Sequence, residues 1–465
     1  MNYRIEHDLL GKQKVPESAL YGSQTARAVE NFPITKVTIN HFPHLIKALA
    51  FVKVAAARAN GELNLLAPEK QALIERVCRE IINGQWHEQF VVDTIQGGAG
   101  TSTNMNINEV IANRASQISG EPLGLYQALH PNNDVNLSQS TNDVFPTAVR
   151  LSILLDFQNL TDALERLCIT LKTKSDQFSP VIKLGRTQLQ DAVPMTMGQT
   201  FHAYYTTLKE EGERIRRDAA LFYEVNLGGT AVGTGINTHK DYASLAIAHL
   251  VLISQQPMVL SADLIEATSD MGAFVAFSST LKRTATKLSR ICNDLRLMSS
   301  GPRGGFNEIN LPARQPGSSI MPGKVNPVIP EAVNQIAFQI IGNDVTVTIA
   351  AEAGQLELNV MEPVIAYNVL ESMRLLTSGV DLLERLCVRD ITVNEDQCRH
   401  WVEQSIGVIT ALNSRLGYQM TSRLATQALE SGKSVRSLVL EQQLLSNDEA
   451  ELLLDPKRML RPNLS

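Results

Sequence analysis

The chain has 465 residues and a formal net charge of −6; 44% of its residues are hydrophobic and 19% are charged. This balance leaves no basic footprint for nucleic-acid binding, and no apolar run reaches the roughly 18 residues that span a membrane. The polar N-terminus lacks the apolar core of a signal peptide, and the five scattered cysteines form no metal or redox motif. We therefore expect a soluble, cytoplasmic protein that binds neither nucleic acid nor membrane.

The N-terminal part of the chain combines irregular and helical patterns. Proline and glycine residues predict an extended, turn-rich start over residues 1–40. A glycine-rich polar stretch, Gln96–Asn104, follows later and leads into a helix. Together these patterns predict a mainly helical domain over residues 1–141. Its helices are expected at about residues 44–60, 69–83 and 106–118.

The middle of the chain, residues 142–392, is dominated by unusually long helical patterns. Apolar residues recur at steps of three and four, as in Val149, Ile153 and Phe157, which is typical of a helix face in a bundle. Helices this long predict a five-helix bundle, whose inner and outer apolar faces favour oligomerisation. The patterns cover about residues 143–177, 194–225, 264–299, 330–351 and 361–386. Shorter patterns predict a small C-terminal helical domain over residues 393–465.

One stretch within the bundle region, Pro316–Pro327, does not have a helical composition. Its sequence, PGSSIMPGKVNP, contains three prolines, two glycines, two adjacent hydroxyls, one ammonium and one amide. A hydroxyl can act as a base, and a cation with hydrogen-bond donors can hold negative charge that develops beside a carboxylate. By composition alone, the stretch is also explained as an ordinary surface loop.

Polar residues also precede other helical patterns. Ser, Thr, Asn and Asp are common N-caps there, so each stretch alone is explained as a cap. Helix N-termini, however, offer free amide donors and partial positive charge, which suit a carboxylate. With Asn326 as a cap, Pro327 as the first helical residue and Lys324 beside them, the four stretches together predict a dicarboxylate site. They are Thr101–Asn104, Ser138–Asp143, Gly185–Asp191 and Pro316–Pro327.

Other candidate sites are weaker. Gly228–Gly235 is glycine-rich but matches neither a dinucleotide-binding motif nor a P-loop, so we interpret it as a chain reversal near the bundle. His130 is the histidine nearest to a polar stretch, and we interpret it as a surface turn residue. No group of His, Asp and Glu has metal-ligand spacing, so no metal site is predicted.

Residues Gly317–Pro327, with the sequence GSSIMPGKVNP, resemble the signature loop of the aspartase/fumarase superfamily; we call residues 316–327 the signature loop. The resemblance extends over essentially the whole chain. It implies a mainly α, three-domain lyase whose central five-helix bundle forms the twenty-helix core of a homotetramer, with each active site shared by three subunits. The other matching stretches are residues 96–106, 138–143, 185–191, 226–237, 299–303 and 357–363.

The activity implied by the resemblance is a reversible anti-elimination from a succinyl-type substrate to give fumarate. It implies no organic cofactor, and ligands for a divalent-metal activator are not readable in the sequence. Ser318 matches the general base that removes the Cβ proton, on a mobile loop that closes over the substrate. The expected contacts to the two carboxylates and the amino group are Thr101, Ser140, Thr141, Asn142, Thr187, Gln188, Ser319, Lys324 and Asn326.

The leaving group distinguishes members of the superfamily from one another. Residues 97–102 and 355–363 resemble members that release ammonia, which predicts deamination of L-aspartate to fumarate and ammonia. Gln188 replaces the histidine of water-releasing members, and its neutral amide cannot shuttle a proton. Residues 130–132 and 140–146 resemble the water-releasing members locally. The alternatives are hydration of fumarate to malate, a lyase acting on a modified aspartate, and a non-catalytic helical scaffold.

Overall fold

The computed structural model describes residues 2–460. Its helices are α1 (Ser23–Asn31), α2 (Pro43–Glu62), α3 (Pro68–Ile82), α4 (Thr101–Ser119), α5 (Thr141–Gln177), α6 (Met197–Ala219), α7 (Thr230–Gly233), α8 (Tyr242–Ser254), α9 (Glu266–Ser269), α10 (Gly272–Met298), α11 (Val328–Glu352), α12 (Glu362–Leu386), α13 (Glu395–Gln404), α14 (Asn413–Leu416), α15 (Tyr418–Ser431), α16 (Val435–Glu441) and α17 (Asn447–Leu453). Its strands are β1 (Tyr3–Asp8), β2 (Gly11–Pro16), β3 (Ile182–Thr187), β4 (Gln190–Thr196), β5 (Glu224–Val225), β6 (Val259–Leu260), β7 (Ile309–Asn310) and β8 (Thr392–Val393). The protein is mainly α, as predicted, and its strands form two-stranded sheets in the pairs β1–β2, β3–β4, β5–β6 and β7–β8.

Five long helices, α5, α6, α10, α11 and α12, contain between 23 and 37 residues each, which confirms the predicted long-helix architecture. The bounds of α5, α11 and α12 lie within two residues of the prediction. Helix α6 begins later than predicted, at Met197, because Gln190–Thr196 pair with β3 as strand β4. Helix α4 begins earlier, at Thr101, so Thr101–Asn104 form its first turn and not a loop before it.

The chain divides into two compact units, and the long helices contribute residues to both. One unit comprises the chain up to Thr161, Glu213–Arg283 and Phe338–Leu376. The other comprises Asp162–Gly212, Thr284–Ala337 and the chain from Thr377 onward. The three-domain division at residues 141/142 and 392/393 remains a prediction, since compactness alone does not identify folding domains.

Buried polar contacts join neighbouring long helices within each unit. In the first unit, Ser278 of α10 donates to Asp344 of α11 at 2.9 Å. In the second unit, Asn334 of α11 donates to the Ser289 hydroxyl of α10 at 2.8 Å. Because a buried polar group is costly unless it is hydrogen-bonded, these pairs fix the register of helices that apolar packing alone leaves free to slide.

Within residues 2–460, no helix is long and apolar enough to cross a membrane. The five cysteines are all free and buried.

Candidate active site

The first turn of α5 is capped by its own side chains. The backbone N–H of Asn142 donates to the Ser140 hydroxyl at 3.2 Å, and the Ser140 N–H donates to the Asp143 carboxylate at 2.9 Å. Ser140 therefore caps the helix, as predicted, and the Asp143 side chain bonds back to the cap residue. This arrangement fixes the backbone of Ser140, Thr141 and Asn142, which are half-buried and lie at the positive end of a 37-residue helix.

Asp143 ties this helix start to the glycine-rich segment Gly228–Gly235. Its second carboxylate oxygen accepts the backbone N–H of Gly228 at 2.7 Å and that of Thr230 at 3.4 Å. Burial raises the pKa of Asp143 to about 6, although these amide hydrogen bonds oppose the rise. The segment therefore folds over the start of α5, in agreement with its interpretation as a chain reversal.

Asn226 compensates for the proline inside α5. Pro146 has no N–H, so it cannot donate to the carbonyl of Asn142 one turn earlier. The Asn226 side-chain amide donates to that carbonyl at 3.0 Å and to the Thr268 hydroxyl at 2.9 Å. In turn, the Asn142 side-chain amide donates to the carbonyl of Ala231 at 2.7 Å. Hydrogen bonds with Asn226 and Ala231 thus stabilise the start of α5 in addition to its own cap.

The first turn of α4 lies against the first turns of α5. Gly100, which precedes α4, has φ +90°, and a Cβ there would collide with the ring of Phe145. The buried Gln96 side chain accepts the N–H of Thr103 at 3.0 Å and thereby caps the helix. Thr101, the first residue of α4, is exposed, and its hydroxyl donates to the carbonyl of Gly98 at 2.7 Å.

A buried lysine of α2 completes this group. Lys53 has no exposed surface, and its ammonium donates to the side-chain carbonyls of Asn104 at 2.8 Å, Gln139 at 2.8 Å and Asn136 at 3.1 Å. The Asn104 amide donates onward to the Thr141 hydroxyl at 3.1 Å. Burial lowers the pKa of Lys53 to about 7, while the nearby Asp143 carboxylate opposes this shift.

We call Thr101, Asn104, Ser140, Thr141 and Asn142 the helix-terminus cluster. A hydrogen bond from Asn104 to Thr141 joins α4 to the start of α5, and all five residues belong to one compact unit. The hydroxyls of Ser140 and Thr141 donate to no acceptor within residues 2–460, so they can donate to an anion at the positive end of α5, and the buried Lys53 adds positive charge behind them. This chemistry suits a carboxylate.

The signature loop closes on itself at its base. The N–H of Gly317 donates to the carbonyl of Lys324 at 2.8 Å, and the Asn326 side-chain amide donates to the carbonyl of Gly317 at 2.7 Å. A Cβ at Gly317 would collide with the Lys324 carbonyl, which explains the glycine. Asn326 therefore closes the loop and does not cap α11, which begins at Val328, so the prediction of an Asn326 cap was wrong.

Ser318 is held in a small turn within this loop. Its hydroxyl oxygen accepts the backbone N–H of Met321 at 3.1 Å and that of Ile320 at 3.3 Å. Two N–H donors on one oxygen favour the negatively charged form, because they stabilise the alkoxide more than the alcohol. Ser319 and Lys324 are exposed in the same loop, and neither side chain forms a hydrogen bond or ion pair within residues 2–460.

Thr187 and Gln188 lie at the tip of a β-hairpin and not in a loop that simply precedes a helix, which corrects the sequence interpretation. Thr187 pairs with Gln190, and the two residues between them, Gln188 and Leu189, have φ of +54° and +61°. Such values are typical of the type I′ turn of a tight hairpin. Both predicted contact residues are exposed at this tip, and no hydrogen bond joins the tip to the signature loop among the described residues.

Strand β3 of this hairpin is anchored by a buried carboxylate. Glu308 has no exposed side-chain surface and forms ion pairs with Arg186 at 2.6 Å and with Lys183 at 3.3 Å. The Arg186 guanidinium also lies 4.1 Å from the centre of the Phe306 ring. These contacts fix strand β3 so that Thr187 and Gln188 project from a rigid element.

The ten predicted site residues thus fall into three groups: the helix-terminus cluster without Asn104, the hairpin tip and the signature loop. Sequence reasoning missed Lys53 and Asn226, which hold the first group. A lone lysine lies in the apolar run of residues 48–57, ALAFVKVAAA, and this pattern indicates a buried cation with a specific role. Asn226 gave no comparable sign.

The weaker candidates have structural roles. The His130 ring nitrogen Nδ1 accepts the backbone N–H groups of Asn132 at 3.1 Å and Asn133 at 3.2 Å, so this half-buried histidine caps a turn. No group of three or more His, Cys, Asp or Glu side chains within residues 2–460 is arranged to hold a metal ion.

Two family models match the sequence. One, described as "Lyase", matches residues 11–342, and the other, "Fumarase C C-terminus", matches residues 408–461. The chain is 59% identical to an aspartate ammonia-lyase of Pseudomonas aeruginosa over 99% of this chain and 98% of that protein. It is 50% identical to an aspartate ammonia-lyase of Escherichia coli over 99% of this chain and 97% of that protein.

Solved structures are similar to the whole chain. A fumarate lyase:delta crystallin from Brucella melitensis bound to cobalt is 54% identical, with a TM-score of 0.96, and the match covers 99% of this chain and 100% of that chain. A class II fumarase from Schistosoma mansoni is 36% identical, with a TM-score of 0.95, and the match covers 100% of both chains.

Proposed function

Because this chain belongs to the aspartase/fumarase superfamily, we propose that it catalyses the reversible elimination of ammonia from L-aspartate to give fumarate. The comparisons confirm the predicted family and the lyase class. The observation that carries aspartate as the substrate is the 59% identity to aspartate ammonia-lyases over the full length of the chain.

Ser318 is the proposed general base. Its alkoxide removes the Cβ proton of aspartate, and the electron pair moves into the adjacent carboxylate, which then carries a second negative charge. The C–N bond breaks next: the electron pair held on the carboxylate returns to form the carbon–carbon double bond, and the protonated amino group leaves with the C–N pair as neutral ammonia. The backbone N–H groups of Ile320 and Met321, which already point at the Ser318 oxygen, support this role because they stabilise the alkoxide.

The remaining groups are proposed to hold the substrate. The helix-terminus cluster supplies the Ser140 and Thr141 hydroxyls at the N-terminus of α5, which suit one carboxylate. Ser319, Lys324 and Asn326 bring further donors on the signature loop. Each preorganised donor that meets charge developing in the transition state is worth roughly 3–4 kcal/mol. The proposed chemistry requires no organic cofactor.

We propose that three subunits of a homotetramer contribute the three groups of site residues to each active site. Helix α11 supports an oligomer, because Phe338, Val345 and Ile349 are 62%, 53% and 63% exposed and lie seven and four residues apart on one helix face. An apolar stripe of this kind is typical of a face that a partner covers.

The test is a substrate panel with the purified protein. We expect L-aspartate to be converted to fumarate, followed by the rise in ultraviolet absorbance, with ammonia released in equal amount. L-Malate and an N-substituted aspartate serve as the comparison substrates. Rapid turnover of malate without turnover of aspartate would instead assign the chain to the water-releasing members, and turnover of the substituted aspartate alone would assign it to a modified substrate.

A further inference from the structure

The contacts of Lys53 determine which way the Asn104 side chain faces. A lysine ammonium can only donate hydrogen bonds, so the side-chain oxygen of Asn104, 2.8 Å from the Lys53 nitrogen, must be the acceptor. The nitrogen of the same amide then faces away from Lys53. It donates to the Thr141 hydroxyl and to the Asn136 side-chain oxygen, both at 3.1 Å.

This orientation in turn determines what Thr141 can offer. Its hydroxyl oxygen already accepts a proton from Asn104, and its own proton has no acceptor within residues 2–460. A hydroxyl that accepts from one side is left to donate on another. With Asn104 reversed, the Thr141 proton would instead be drawn to the Asn104 oxygen and lost to any ligand.

We infer that Lys53 is a positioning residue that acts through Asn104 to direct the Thr141 hydroxyl proton toward the substrate. The inference rests on the proposed function, because it takes Thr141 to contact the substrate. Its energetic basis is that every proton of the Lys53 ammonium is hydrogen-bonded: Asn104, Asn136 and Gln139 accept one each. A buried ammonium satisfied in this way holds its partners firmly, since releasing any one leaves a buried donor unpaired.

A double-mutant cycle between Lys53 and Thr141 tests the inference. We expect Lys53→Met to lower kcat/KM for aspartate, and affinity for fumarate measured by calorimetry, by roughly 10- to 100-fold. In a Thr141→Val background, the same substitution should cost less than about threefold, because the group that it orients is absent. Equal losses in both backgrounds would overturn the inference and leave Lys53 as a support of the fold.

Asn104→Asp separates positioning from folding, in case Lys53→Met is poorly folded. The aspartate still accepts from Lys53 but has no donor for Thr141, so we expect the loss seen with Lys53→Met. Wild-type activity in Asn104→Asp would contradict the inference that Lys53 positions Thr141 through Asn104. Lys70→Met is the matched control, because Lys70 pairs with Asp134 at 2.8 Å in the segment that also carries Asn136. It should leave both readouts unchanged.

Turnover of aspartate and affinity for fumarate together distinguish a failure of the inference from a failure of the proposed function. If the wild type does not turn over aspartate, the proposed function fails, and the cycle is still read from fumarate affinity. If Thr141→Val changes neither fumarate affinity nor turnover, Thr141 does not contact the substrate, and the inference is overturned with it.

Discussion

The helix-terminus cluster and the signature loop present the same kinds of side chain, hydroxyls and amides, but they hold them in opposite ways. In the cluster, Thr141 and Asn142 are backed by groups that are almost fully buried, namely Lys53, Asp143 and Asn226. In the signature loop, the hydrogen bonds of Ser318 and Asn326 are to the loop's own backbone.

This difference indicates that the two regions have different roles. A cluster fixed by buried, hydrogen-bonded groups suits binding, because preorganised donors need no rearrangement when the substrate arrives. An exposed loop that depends only on internal contacts can change position at little cost to the fold, which suits a group that acts once the substrate is in place. Substitutions should therefore separate the two regions: those in the loop should affect turnover, and those behind the cluster should affect stability as well.

The largest expected effect is on turnover, from Ser318→Ala. Removal of a general base typically costs 10²–10⁴-fold, so we expect kcat to fall by roughly 10³-fold. The melting temperature should not change, because the backbone N–H groups of Ile320 and Met321 can hydrogen-bond to water at an exposed loop. Steady-state kinetics and thermal unfolding measure the two quantities.

Ser431→Ala is the matched control for this substitution. The hydroxyl of Ser431, an exposed residue, likewise accepts the backbone N–H of a residue two positions ahead, Lys433, at 3.3 Å. It should leave kcat unchanged. If the Ser318→Ala enzyme kept wild-type turnover, Ser318 would not be the general base. The catalytic role of the signature loop, as distinct from the binding role of the helix-terminus cluster, would then fail as well.

A smaller effect, on stability, is expected behind the helix-terminus cluster. Asn226→Ala leaves the carbonyl of Asn142 without the Asn226 donor and removes the buried bond to Thr268, so the free energy of unfolding should fall by about 2–3 kcal/mol. Urea denaturation measures this change. Pro146→Ala restores a helical N–H for the same carbonyl, so the double variant should recover about 1 kcal/mol. Additive losses would show that Asn226 does not substitute for the proline.

Much of the scaffold was predictable because it depends on short-range periodicity. The apolar steps of three and four gave α5, α11 and α12 nearly to the residue. The polar run Ser140–Asp143 was readable both as a cap and as part of a site, and it forms a cap in the structure. The cap is confirmed and the site stays a prediction; the two are compatible, because a capped helix start is also where free amides and positive charge are found.

What could not be predicted depends on partners far along the chain. The need for Asn226 arises from Pro146, 80 positions earlier, and only folding brings them together. The hairpin tip was missed because Gln188 and Leu189 lack the Asn-Gly or Asp-Gly signal of a type I′ turn. Asn326 was placed as a helix cap from local sequence, whereas the tertiary contact with Gly317 takes its amide.

The smallest expected effect concerns the hairpin tip. Its strand β3 is anchored by buried contacts, as the helix-terminus cluster is, but its tip residues are exposed, as the signature loop is. Gln188→His should leave stability unchanged, because histidine tolerates the positive φ of +54° at this exposed turn. We expect kcat/KM for aspartate to change by less than about tenfold, but its pH profile should gain a new limb near the ordinary histidine pKa of about 6.5. Leu189→His places the same ring one residue further along the tip and should add no such limb. If both variants gain it, or neither does, position 188 does not face the substrate amine, and the choice of leaving group must be made elsewhere.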